Sequence, residues 1–600
     1  MNKIVKILAL ITLITLSACE DVFTPAIENI RGIDAMYQEP TYAQGILANA
    51  YILLPYNSNP TSDVATDDAV SNDNANTYRL MATGAWTASN NPVSQWQNRR
   101  NAIQYLNIFL DNVDKVEWSK DETVRKLYTN RLKGEAYGLR ALQHYYLLMA
   151  HGGWTSDGKL MGVPILTKPE STSSDFNLPR NTFQECIQQI FDDAQQAIEL
   201  LPVDFGDVAD DASIPAKFKA LGVTKSGDYN RVNGNIMKGR ITGRIVEAVR
   251  SQAALLAASP AYNTGTTVTW ADAANHAATV LDRINGVSGL DKNGATWYTN
   301  TAEITALAAG SNPPEIIWRS DKSNSTDGIG IELEKNNYPP SLYGKGRVNP
   351  TQNLVDAFPM ANGYPIVDAQ SGYLTTNPYS NRDPRLTKYI LVNGGTQGPG
   401  SNVITTGTYG TNNDAINREV GLSTRTGYYL RKLLRPDCNP DPNYNTGQYH
   451  YTARIRYTEI FLHSAEAANE AYGPTGNGTH AYSAYDVIKA IRVRAGVGTS
   501  NGDAYLESIK SDKDKMRELI RNERRLELCF ENFRFWDLRR WKVNMNEAAK
   551  GVQIDRNDDL TLQFKPLNVE NRVYKDFMYY GPIPDDETRK WTNLLQNAGW

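Results

Sequence analysis

Apolar residues recur at helical spacing in two blocks of this chain, separated by a long stretch where that rhythm is lost. Between residues 93 and 116, Trp96, Ile103, Leu106, Leu110 and Val113 fall on one face. Leu132, Ala136, Leu139, Gln143 and Tyr146 do the same in the next segment, with the three-and-four spacing of an amphipathic helix. The same pattern predicts helices over about residues 181–200, 238–259 and 270–285. After the interruption, Tyr457, Phe461, Ala465, Ala468 and Tyr472 mark another. "AYDVIKAIRVRAG" reads as a helix closed by Gly496, because glycine accepts the left-handed conformation that ends many helices.

These helices are of moderate length, frequently paired across short turns and rich in alanine at their faces. Pairs of that kind stacked side by side look like tetratricopeptide-type units. Residues 286–450 instead crowd Gly, Asn, Thr, Pro and Tyr together, with apolar runs rarely longer than four. They read as loops and short strands, enough chain to cover one face of a helical scaffold. The expected fold class is mainly α: a tetratricopeptide-like helical scaffold decorated with long loops and short strands.

The first residues carry a separate signal. "MNKIVKILALITLITLSACED" sets Lys3 and Lys6 before an apolar run and small residues before Cys19, the layout of a secretory peptide too short to span a membrane. Leu16-Ser17-Ala18-Cys19 also resembles the bacterial lipobox, in which the cysteine thiol is acylated and the chain is cut just before it. Several acyl chains on one residue anchor stably, since each buried CH₂ contributes about 0.8 kcal/mol. Glu20 and Asp21 are similar to the acidic sorting signal of Bacteroidetes surface lipoproteins. The expected organisation is a signal peptide at 1–18 and a lipidated linker at 19–40, then an N-terminal helical region at 41–285. A loop-rich insertion packed on the scaffold follows at 286–450, and a C-terminal helical region with its tail at 451–600.

Composition narrows the function classes. With 600 residues, 41% apolar and 21% charged, and a net charge of -4, the chain can bury a large core and lacks the basic surplus of a nucleic-acid binder. Tyrosine (33) and tryptophan (11) together outweigh phenylalanine (14), a bias toward aromatics with a polar edge that suits wet binding surfaces. Beyond Cys19, the cysteines Cys186, Cys438 and Cys529 lie far apart without a C-x-x-C pair. They read as isolated buried thiols, with no disulfide framework and no zinc site.

Catalytic signatures are mostly missing, among them the G-x-S-x-G elbow, H-E-x-x-H and the phosphate-binding glycine loops. His144 and His151, seven apart, read as packing or capping residues and not as a metal pair. "SDVATDDAVSNDNAN" offers Asp63, Asp67, Asp68 and Asp73 as calcium or hydroxyl ligands. It lacks the glycine and terminal glutamate of an EF-hand loop, so a solvated loop is the expectation. In "RNERRLELCFENFRFWDLRRW", residues 521–541, Glu523, Glu527 and Glu531 form one carboxylate row on a helix, which invites an acid–base reading. Arg524, Arg525, Arg534, Arg539 and Arg540 stand beside them. Carboxylates flanked by guanidinium groups stay ionised, whereas a glycosidase pair needs environments that push two pKa values apart. Paired ions in a scaffold are the expectation.

"LIRNERRLELCFENFRFWDLRRW" closely resembles the signature of the SusD/RagB family of outer-membrane nutrient-binding lipoproteins. Further blocks resemble that family in order along the mature chain: "RLKGEAYGLRALQHYYLLMAHGG" with "GVPILT", then "NRDPRL", "IRYTEIFLHSAEAANEAYG", "IKAIRVRAGV" and "YYGPIPDDETRKWTNLLQNAGW". Asn532-Phe533 stands where a glycine-containing turn is usual, which asparagine satisfies by tolerating a left-handed conformation, and Ala598 replaces a common proline. The resemblance implies a lipid-anchored, cell-surface protein that sits as a lid on a SusC-like TonB-dependent transporter in the outer membrane. Such proteins capture oligosaccharides, or in some branches oligopeptides, without covalent chemistry. No catalytic residue, metal or cofactor is expected beyond the N-terminal acyl chains, and a secreted hydrolase is the contrasting class.

A sugar binder needs exposed flat aromatics with acids or amides at their edges. Trp86, in the small-polar loop "MATGAWTASNN" with Asp67, Asp68 and Asn90 near it, is the first candidate. Trp297 and Tyr298 in "ATWYTN" and Trp318 in "IIWRS" follow.

Overall fold

The computed structural model describes residues 32–600, so Cys19 and the signal peptide expected at 1–18 lie outside the described residues. Helix α1 (Pro40–Ile52) starts on a proline, whose missing N–H is no loss in a first turn. α2 (Trp96–Asn112) and the thirty-residue α3 (Glu122–His151) follow, then α4 (Phe183–Leu200), α5 (Gly243–Ala258) and α6 (Trp270–Asp282). Thr182 with Glu185, and Thr269 with Asp272, form reciprocal capping boxes at α4 and α6. Thr242 accepts the Ile245 N–H and so starts α5 several residues later than apolar spacing alone predicts. Past residues 283–456 come α7 (Tyr457–Tyr472), α8 (Ala484–Ala495), α9 (Lys513–Leu528) and α10 (Arg534–Trp541). Gly496 closes α8 in the left-handed region at φ 84°.

Each helix from α1 to α7 packs on the next in order, and α7 packs in turn on α8 and α9. One apolar core runs through this serial stack. A Cβ at Gly138 of α3 would lie 2.7 Å from a methyl of Val246 on α5, so only glycine allows that approach. With 44% helix against 9% strand, the fold is mainly α and tetratricopeptide-like.

α6 and α7 are packing neighbours although residues 283–456 separate them in sequence. That segment builds a second core around Tyr338, Phe358, Tyr389 and Tyr428, which also takes in Leu526, Cys529 and Phe530 from the end of α9. Short antiparallel pairings fasten it: β1 (Ala69–Ser71) with β3 (Val348–Pro350), and β2 (Ile316–Arg319) with β4 (Ala453–Arg456). A hairpin, β5 (Ala549–Arg556) and β6 (Leu562–Glu570), follows α10. Because β4 runs straight into α7, the inserted segment is tied to the helical stack at that seam.

Candidate ligand-binding cavity

The carboxylate row of α9 faces cations from several other segments. Arg385 Nη1 donates to Glu523 at 2.8 Å and to Glu527 at 3.0 Å. Arg492 donates to Glu523 at 3.0 Å and Arg494 to Glu527 at 2.9 Å. Lys432 at 2.6 Å and Arg456 Nε at 2.8 Å hold Glu531. Burial pushes the Glu527 carboxyl up, but Arg494, Arg385, Arg456 and Lys432 outweigh it and hold the pKa at about 2. The row is thus an ion-paired lattice in which "NRDPRL", "IRYTEI" and "IKAIRVRAG" meet the 521–541 segment. Removing one partner would strand a buried charge.

The acidic loop is not solvated. Asp63, Asp67 and Asp68 are buried. Asp63 accepts the backbone N–H of Phe530 at 3.1 Å and of Asn532 at 3.0 Å. Arg525 donates to Asp68 at 2.6 Å and to Asp67 at 2.8 Å, and Arg534 to Asp67 at 3.0 and 2.9 Å. Burial raises the Asp67 carboxyl, but Arg525 and Arg534 hold it well below the usual carboxylate range. Scaffold arginines engage Asp67 and Asp68 and backbone N–H groups engage Asp63, which corrects both the expectation of a solvated loop and the reading of Asp67 and Asp68 as ligand-binding residues. His151 Nδ1 donates to the Pro582 carbonyl at 2.6 Å and its Nε2 accepts the Gln95 N–H at 3.1 Å. Burial pushes this imidazole down to about 4, so it is a neutral packing residue, as its place at a helix end suggests.

A cavity of about 300 Å³ lies between the helical stack and the inserted segment. α3 contributes Tyr145 and Tyr146, α5 contributes Gln252, α7 contributes Glu459 and His463, and Trp297, Tyr298 and Tyr451 close it from the insertion. The Trp297 and Tyr451 rings lie 5.4 Å apart at 33°. Across from them Tyr56 meets Tyr146 and Trp318 edge-on at 5.8 and 5.7 Å. Arg454 lines the same space with its guanidinium 4.7 Å from the Trp318 ring centroid, and among the described residues it has no carboxylate within ion-pair distance.

Four polar atoms of the lining residues are buried without a hydrogen-bond partner: Tyr56 Oη, Trp297 Nε1, Gln252 Oε1 and Arg524 Nη1. Leaving a buried donor or acceptor unmet costs about 1–3 kcal/mol, so a polar occupant rich in hydroxyl or carbonyl groups is favoured. Burial pushes the Glu459 carboxyl up to about 7, against the hydrogen bond from Gln252 at 2.7 Å and the charges of Arg524 and Arg456. The other cavity carboxylates are held in ion pairs, Glu531 by Lys432 and Arg456 and Asp537 by Arg524 and Arg540 at 2.8 Å each.

The expected platform is therefore rearranged. Trp297 and Tyr298, each 6% exposed, do meet at the cavity. Trp318, 1% exposed, donates Nε1–H to the Gly239 carbonyl at 2.9 Å and stands behind Tyr56. Trp86 is 2% exposed and belongs to a separate cluster with Phe535 and Tyr574, because aromatic residues distant in sequence supply the apolar neighbours its own loop lacks. Asn90 stays exposed, its side-chain amide donating to the Ala85 carbonyl at 3.0 Å. Tyr56, Gln252 and Arg454 escaped the sequence reading, and Arg524 entered it only as an ion-pairing residue. A usable signal was there: Gln252 and Glu459 interrupt faces otherwise filled by alanine and leucine, and a polar residue at a core position marks a site when no structural partner consumes it.

A serial helical stack whose loop-rich insertion closes over an aromatic, hydrogen-bonding cavity defines a tetratricopeptide-like binding protein. Residues 314–600 match the model of the SusD family, and residues 34–218 match a second model described as starch-binding associating with outer membrane. The chain belongs to the SusD family. A SusD-like protein of Formosa agariphila is 22% identical over 565 residues, 92% of each chain. Among solved structures, a SusD-like protein from Bacteroides fragilis matches with a TM-score of 0.69 at 22% identity, covering 94% of this chain and 98% of that one. A SusD-like carbohydrate binding protein from the same organism matches at 0.66 and 19% identity, covering 93% and 99%. Surface glycan-binding protein A from Bacteroides fluxus matches at 0.58 and 18%, covering 94% and 100%.

Proposed function

We propose that this protein is a cell-surface lipoprotein of the outer membrane that captures oligosaccharides and passes them to a SusC-like TonB-dependent transporter. The cavity carries this reading: flat rings of Trp297 and Tyr451 to cover apolar sugar faces, unmet hydrogen-bonding atoms of Gln252 and Arg524, and the Arg454 guanidinium in the lining, all suited to hydroxyls. Binding without turnover is the reading the carboxylates favour. Glu531 and Asp537 are each held by two cations, and Glu459 is hydrogen-bonded by Gln252, so the cavity carboxylates serve the scaffold in this reading.

Calorimetry of the wild type, Trp297→Ala and Arg454→Ala against a panel of soluble oligosaccharides and oligopeptides tests it. The wild type is expected to bind at least one glycan, and each substitution to weaken that binding by about 1–3 kcal/mol, the scale of one large side-chain contact. Peptide binding with no glycan binding would establish oligopeptide capture instead, and cleaved glycan in the cell would establish a hydrolase.

A further inference from the structure

Glu334, Cys438 and His450 are widely spaced in sequence, yet one donor atom from each lies within 4.8 Å of the other two, and all three residues are buried. We propose that they form a binding site for a divalent cation of the zinc class, a function separate from ligand capture. The donor set is one sulfur, one imidazole nitrogen and one carboxylate oxygen, the mixture that suits zinc or cobalt and not the all-oxygen shell of calcium.

The histidine is already turned for this role. His450 Nδ1 lies 2.8 Å from the Gln448 carbonyl, which can only accept, so Nδ1 carries a proton. Nε2 is left to face Glu334 Oε1 at 3.0 Å. A backbone carbonyl behind the distal nitrogen is the usual support of a metal-ligating histidine. The carboxylate supplies an independent observation: Glu334 Oε1 also takes the Arg435 N–H at 2.7 Å, while Glu334 Oε2 is buried with no hydrogen-bond partner. A cation would meet that oxygen.

Coordination displaces two protons, one from the Cys438 thiol and one from His450 Nε2, and puts one cation in their place. Glu334 lies on the short helix Glu332–Asn337, and Cys438 and His450 lie more than a hundred residues on. The cation would therefore clip remote parts of the insertion together and brace the cavity wall to which His450 contributes.

The full chain, stripped with a chelator, is titrated with Co²⁺ and then Zn²⁺. One Co²⁺ per chain is expected, with a thiolate-to-cobalt charge-transfer band in the near ultraviolet that Zn²⁺ abolishes, and the melting temperature should rise with Zn²⁺ but not with Ca²⁺. Cys438→Ser should lose the band, and His450→Ala should weaken binding by roughly tenfold or more. A cobalt-saturated, folded wild type with no thiolate band overturns the site whatever the variants do. A band that persists in Cys438→Ser overturns it too, by assigning the metal to another of the chain's cysteines, Cys19, Cys186 or Cys529.

Discussion

The indole of Trp86 meets Phe535, Tyr574 and Trp600 edge-on at centroid distances of 5.7, 6.1 and 4.9 Å, and Arg539 lies 5.6 Å from its ring. Its Nε1 donates to Asn91 at 3.0 Å. Every face of this side chain is used inside the protein, so Trp86→Ala should leave a large cavity and cost about 3–5 kcal/mol of stability. Glycan affinity should stay near the wild-type value. Denaturant unfolding run beside calorimetry checks both, and a variant with unchanged stability but lost binding would return Trp86 to the ligand surface. Asn532 shows the same economy in backbone form: at φ 65° it occupies the left-handed turn foreseen for it, and its side chain takes the Ser62 N–H at 2.9 Å.

On α7, Glu459 and His463 stand one turn apart with Glu459 Oε1 and His463 Nε2 separated by 3.5 Å. Both line the cavity. Burial raises the Glu459 pKa from the ordinary 4.5 to about 7, so the folded state holds this proton more tightly than the unfolded chain does. The stabilisation is complete below about pH 4.5 and lost as pH rises through about 7, a change of about 3 kcal/mol by linkage. Glu459→Gln, which copies the protonated form, should therefore gain stability relative to wild type between pH 5 and pH 8. Thermal unfolding of both proteins at the two pH values measures it, and parallel pH profiles would show that Glu459 is not the group responsible. α9 works in the opposite sense: Glu527, held at about 2, contributes stability that is lost only as pH falls below the ordinary carboxylate range.

For the molecule as a whole, the lipobox resemblance carries the proposed attachment to the membrane through Cys19; no helix among the described residues is long and apolar enough to cross a membrane. Cys19→Ala should leave the protein unprocessed or release it from the membrane fraction. Fractionation with intact-mass analysis of the mature N-terminus decides this. A soluble wild type with no acyl mass would remove the anchor.

The sequence by itself determined the local order of this protein. Helices α2 to α8 follow from apolar spacing and caps, because a 3.6-residue period and a Thr or Ser before an acid are written within a few neighbouring residues. The ionic character of the 521–541 row was legible for the same reason: six arginines and three glutamates in one short segment imply ion pairs before any partner is placed. Only the tertiary structure decided which cations those were, for Arg385, Arg492 and Arg456 arrive from distant segments. It also decided which aromatics face open space. Trp86 and Trp297 both stand in polar loops, yet one is enclosed by the C-terminal residues Tyr574 and Trp600 and the other lines the cavity. Exposure depends on what the rest of the chain lays over a residue, and that is a property of contacts hundreds of positions away.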